Sequence, residues 1–258
     1  YSDSRLFVVS WKEENTLSRR ETFHKVRKKA AGGNMAYQMI HMEVAYRLLK
    51  IWNQVRDPAE FILGSVAPDS VHMAKDYAVE RKIRSHLFEG CGEWSNTQDY
   101  ERWNSNILNS WGKFGKEAET SKEQAFILGV CVHCFTDYYN DLNIWRKLQG
   151  RYVPPMTLEQ FREAYYPEAR GIDRWLYQHS SHTEEIRNLL EAGQPYCLCG
   201  ILQTEQIERQ KYHLLYEQYE GEKEDISGYR FLSAEKIEEF VETTVSKIHG
   251  KGMTDGIR

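Results

Sequence analysis

The stretch Ala125-Phe-Ile-Leu-Gly-Val-Cys-Val-His-Cys-Phe-Thr-Asp-Tyr-Tyr-Asn-Asp141 places His133 and Asp137 four residues apart in an otherwise apolar run. On a helix that spacing points both side chains the same way, and Asp141 extends the stripe by a further turn. A carboxylate buried without a partner is costly, so a cation must face it: an arginine, a lysine or a metal ion. Gly129, one turn before His133, puts no side chain on that face. Space and ligands together favour the metal.

Further donors sit where polar groups can turn inward without interrupting a helix. His41 lies beside the apolar stripe Ile40, Val44, Leu48 and Ile51. Asp69 follows Pro68, which cannot continue helical hydrogen bonding. His86, in Ser-His-Leu-Phe, opens an apolar patch after a charged loop. Three imidazoles and two carboxylates suit zinc, and iron or manganese accept the same donor types. Five ligands exceed one tetrahedral ion and match two. Asp141, His72 (three residues after Asp69) and Glu168 are weaker candidates. His179 and His182 lie among polar residues and read as solvated, and Glu21-Thr-Phe-His24 is a lone E-x-x-H where a di-iron bundle needs two. Phosphate-loop, dinucleotide, nucleophile-elbow and H-E-x-x-H signatures are absent from the sequence.

The elements that must position these groups are helical. The 258 residues include 33 aromatics but only 6 prolines, and alternating strand patterns are nearly missing. Periodic segments fall at 36–53, 58–65, 98–116, 121–148, 157–190, 201–220 and 233–249, and Ser121, Thr157 and Ser233 stand at N-cap positions. Gln124 and Gln160 complete two capping boxes by this reading. Residues 1–34 carry +4 against −8 for the remainder, so 1–34 reads as a basic arm and 35–258 as one helical domain. The net charge of −4 gives no basic excess for nucleic acid, and no apolar run reaches the roughly 18 residues of a membrane span. Five cysteines, an odd number, with no signal segment, lead us to expect a reducing cytoplasmic setting; the lone C-x2-C of Cys131 and Cys134 suits one buried helix face.

Three stretches resemble the bacterial zinc-dependent phospholipase C family and its distant relatives, the zinc nucleases of similar helical fold. They are Ile-His-Met-Glu-Val-Ala-Tyr-Arg-Leu-Leu around His41, Leu-Gly-Ser-Val-Ala-Pro-Asp ending at Asp69, and Leu-Gly-Val-Cys-Val-His-Cys-Phe-Thr-Asp through His133 and Asp137. The resemblance spans roughly 35–190 and implies an all-α, single multi-helical domain. It implies that Asp69, His86, His133 and Asp137 hold one zinc and that His41 holds a second, with Asp137 bridging. The activity it implies is hydrolysis of a small phosphoester or phospholipid by a metal-activated hydroxide, with Asp69 also accepting the proton; nucleic acid enters only as substrate. The chain departs from the family where 34 residues precede the first helix, where the family's N-terminal residue is a ligand. It departs again where Tyr-Tyr-Asn-Asp-Leu-Asn replaces the histidine of a third zinc site, and where only Glu168 and Asp173 answer a downstream His-x3-Glu. A dinuclear site follows. A non-catalytic module with a structural metal, or a hydrolase of carboxylic esters or amides, are the alternatives.

Overall fold

The computed structural model describes residues 37–198, 200–254 and 257. The basic arm expected at 1–34 and Cys199 lie outside the described residues. Ten α-helices build the described part: α1 Gln38–Ile51, α2 Pro58–Gly64, α3 Val79–Ser85, α4 Tyr100–Ser110, α5 Ser121–Asn140, α6 Arg146–Tyr152, α7 Leu158–His179, α8 Thr183–Ala192, α9 Thr204–Tyr216 and α10 Ala234–His249. A 3₁₀ segment, Ala67–Met73, follows α2, and a two-residue hairpin, Gly92–Glu93 with Asn96–Thr97, precedes α4. Widened π turns at Trp111–Gly115 and Asp141–Trp145 prolong α4 and join α5 to α6. The described residues are thus all-α but for that hairpin, and no helix among them is long and apolar enough to cross a membrane.

Helix α5 is the axis. Every residue from Gln124 to Asn140 is buried except the half-buried Tyr138. Its near-continuous apolar surface leaves no face for water, so neighbours must cover it on all sides. Helix α2 packs against it most closely, because Gly64 and Gly129 let the two backbones touch. A Cβ on Gly129 would lie 2.2 Å from the Phe61 carbonyl oxygen, and one on Gly64 would lie 2.1 Å from that of Phe126. The room beside Gly129 is therefore filled by the backbone of α2, which corrects its reading as space for a metal. Helices α1 and α4 add to the same core, and α7 and α10 cover α1 in turn.

Local chemistry sets the ends. Thr157 and Gln160 form the expected reciprocal capping box, and the Ser233 side chain accepts from the Lys236 amide. At α5 the cap is Thr120 rather than Ser121, its hydroxyl accepting from the Glu123 amide, while the Gln124 side chain donates to the Gly115 carbonyl instead of closing a box. The segment expected as one helix over 157–190 breaks at 180–182, where the Ser180 hydroxyl accepts from the His182 amide. Residues 79–85, expected as part of a charged loop, form α3, which buries Lys82 and Ser85. Cys131 and Cys134 sit in the core, their thiols facing the carbonyls of Ile107 and Ser85.

Candidate metal centre

The five principal candidates converge. His41 comes from α1, Asp69 from the 3₁₀ segment, His86 from the residue capping α3, and His133 with Asp137 from α5. None is more than 2 % exposed. Two overlapping groups are spaced for ligation, His41 with His133 and Asp137, and Asp69 with His86 and His133. His86 Nε2 lies 3.2 Å from His133 Nε2 and 3.3 Å from both Asp69 Oδ1 and Asp137 Oδ2. A tetrahedral ion with ligands at about 2.0–2.1 Å spaces them about 3.3–3.4 Å apart. His41 stacks on His133 with ring centres 3.7 Å apart, and its Nε2 lies 3.4 Å from the other Asp137 oxygen, Oδ1.

The surroundings fix which nitrogens face inward. His133 Nδ1 is 2.8 Å from the Ser65 carbonyl, which can only accept, so Nδ1 carries the proton. The Ser85 hydroxyl donates to the Lys82 carbonyl, and His86 Nδ1 lies within 3.0 Å of both oxygens, so it too is the donor. With both rings neutral, as ligation requires, each turns an Nε2 lone pair towards the other. Burial holds His133 neutral, its pKa well below the ordinary histidine value. Two facing lone pairs at 3.2 Å repel unless a cation lies between them, and this orienting of imidazoles by carbonyls is what metal-ligating histidines show. Buried polar atoms lacking a hydrogen bond gather at the same point: both nitrogens of His41 and Asp69 Oδ1. The donor set fits zinc.

Asp69 and Asp137 are ionised here for stated reasons. Burial pushes Asp69 up, but the Lys82 ammonium and the rings of His86 and His133 outweigh it and hold the carboxyl well below its usual range. For Asp137, burial is likewise outweighed, first by His41 and then by His133 and His86. Gln38, the first residue of α1, donates through Nε2 to Asp69 Oδ2 at 2.5 Å. Lys82 Nζ, 1 % exposed as a residue, lies 3.5 Å from Asp69 Oδ1. Neither Gln38 nor Lys82 stands out in the sequence.

The weaker candidates fall elsewhere. Asp141 accepts through Oδ2 from Thr97 and Tyr100. Glu168 accepts the backbone amides of Arg230, Phe231 and Leu232, so it anchors that loop. His72 borders the centre without joining either group: its Nε2 is 3.7 Å from Asp69 Oδ1 and 3.4 Å from Lys82 Nζ. His182, read as solvated, pairs with the buried Glu43 at 2.7 Å.

Residues 40–139 match the model of the zinc dependent phospholipase C family. That segment carries all five converging residues, and the likeness together with the ligand set supports a metal-dependent, phospholipase-like hydrolase. No curated protein and no solved structure gives a significant match to the chain.

Proposed function

We propose that the chain is a phosphodiesterase of phospholipase C type built on a dinuclear zinc centre. The observation that carries this reading is the approach of His86 Nε2 and His133 Nε2 to 3.2 Å beside two ionised carboxylates. On this reading Asp69, His86, His133 and Asp137 Oδ2 hold one ion, while Asp137 Oδ1 and His41 hold the other, matching the split of contacts between the two Asp137 oxygens. A zinc ion held there would lower the pKa of a water towards about 7 and draw charge from a phosphoryl oxygen. Two protein ligands at the second position leave it open, as catalytic sites require. Asp69 keeps one oxygen for ligation and the other, steadied by Gln38, to accept the proton of the attacking water. The substrate is a small phosphoester or a phospholipid.

The near-complete burial of all five residues favours one other reading, a structural metal tying helices together. Elemental analysis followed by assay of a bis-aryl phosphate, a choline phospholipid, single-stranded nucleic acid and a carboxylic ester separates the two. The catalytic reading expects close to two zinc ions per chain and turnover of a phosphodiester, both abolished in His133→Ala. Zinc without turnover of any substrate leaves the structural reading, and turnover of the carboxylic ester alone changes the substrate class.

A further inference from the structure

Lys82 is a lysine in the wrong place for an ordinary one. It sits in Val79-Glu-Arg-Lys-Ile-Arg-Ser85, whose charged residues read as a solvated run, yet it is 1 % exposed while Arg81 and Arg84 are not buried. Its ammonium lies 3.5 Å from Asp69 Oδ1, 3.4 Å from His72 Nε2 and 4.8 Å from the centre of the Trp94 ring, which also meets His86 edge to face. Burying an ammonium is expensive, and Asp69 and Asp137, whose oxygens also face the imidazoles, compensate it only in part. A hydrophobic residue of the same length would fill the space at lower cost.

Three features say what the charge is for. Outward of Lys82, the His72 ring meets that of Tyr77 at a tilt, with ring centres 4.5 Å apart, and Tyr77 is exposed, so a chain of contacts runs from Asp69 through Lys82 and His72 to the surface. Two further buried groups beside the ammonium, Trp94 Nε1 and His72 Nδ1, have no hydrogen-bond partner among the described residues. The two non-glycine residues with positive φ among the described residues, Leu87 at 56° and Ser95 at 76°, directly follow His86 and Trp94. Such backbone persists only where the surroundings impose it, and it clusters at binding sites.

We propose that Lys82 is a substrate-binding residue, its ammonium taking a non-bridging phosphoryl oxygen on the outward side of the metal ligands. This rests on the phosphodiesterase reading above. It gives this centre a positive charge of its own beside Asp69, while Asp141 and Glu168, the weaker ligand candidates, are engaged elsewhere. An ammonium held against a carboxylate cannot drift away with substrate as an ion can, and it discriminates for an ionised phosphoryl group over a neutral ester.

The test uses inorganic phosphate as probe and calorimetry on zinc-loaded protein, with zinc content measured first. Lys82→Met should keep its zinc and bind phosphate about 10- to 100-fold more weakly, the range for losing one charge-assisted hydrogen bond. Lys82→Arg should stay within a few fold of wild type. Should Lys82→Met fail to fold, the 15N resonance of the Lys82 Nζ in wild type, assigned by its loss in Lys82→Arg, must shift as phosphate saturates. Wild-type binding strength in zinc-loaded Lys82→Met, an unmoved Nζ resonance, or no phosphate binding by wild type each overturns the proposal. None of these bears on the phosphodiesterase reading, which falls only if wild type holds no zinc or turns over no phosphodiester.

Discussion

At the scale of single residues, the centre is legible where helix geometry alone dictates direction. His133 and Asp137 share a face because they are four apart, and that held for any helix through them. Gln38 and Lys82 could not be read the same way. A glutamine at the first turn of a helix and a lysine in a charged run are what solvent-facing positions contain, and only the packing of α1 and α3 onto the 3₁₀ segment turns them inward. Gln38 makes a sharp prediction. Its Nε2 fixes Asp69 Oδ2 at 2.5 Å, so it orients a proposed ligand without touching the ion. Groups in that role change metal affinity by about 10- to 100-fold when removed. Gln38→Ala should therefore release zinc to a competing chelator at a correspondingly lower chelator concentration, with its far-ultraviolet circular dichroism unchanged. Unaltered zinc affinity would show that the 3₁₀ backbone and Lys82 hold Asp69 without Gln38.

At the scale of elements, periodicity located the long helices but missed what local bonds decide. Thr120 outcompetes Ser121 as a cap because its hydroxyl reaches the Glu123 amide, a choice one residue wide. The 3₁₀ segment and α3 escape the reading that finds the equally short α2, because Pro68 interrupts the one and charged residues fill the other. The glycine at 129 illustrates the deeper ambiguity: an absent side chain admits a ligand and a helix equally well, and here α2 takes the space. The same contact carries the Ser65 carbonyl, one residue past α2, to His133 Nδ1. Gly129→Ala must drive α2 away from α5, since the added carbon meets backbone at 2.2 Å and nothing flexible can give way. Overpacking of this kind costs typically about 1–3 kcal/mol and more where only backbone can move. Urea unfolding should show the midpoint falling with the slope retained, and zinc binding should weaken along with it because the Ser65 carbonyl moves off His133. A stability loss with full zinc affinity would separate the helix contact from the centre.

At the scale of the whole described molecule, the five proposed ligands lie between residues 41 and 137, and the chain beyond them matters by holding α1 in place. Asp173 of α7 does this most directly, accepting the Ile40 amide in the first turn of α1 at 3.1 Å and the Tyr219 hydroxyl at 2.9 Å. Burial drives its carboxyl up to about 7, against partial opposition from those same donors. The folded protein thus keeps a proton that the unfolded chain begins to release near pH 4, the ordinary carboxyl range. Stability owed to Asp173 is therefore fully present below about pH 4 and lost as pH climbs through 7, a change of the order of a few kcal/mol. Asp173→Asn keeps an acceptor for the Ile40 amide but has no proton to lose. The difference in stability between wild type and this variant cancels titrations common to both, including those of the centre. It should shift steadily against the wild type from pH 4 to 7 and level off above. A difference that does not vary with pH would mean that Asp173 is ionised throughout, paired within the fold strongly enough to offset its burial, and that the join between α1 and α7 is a charged one.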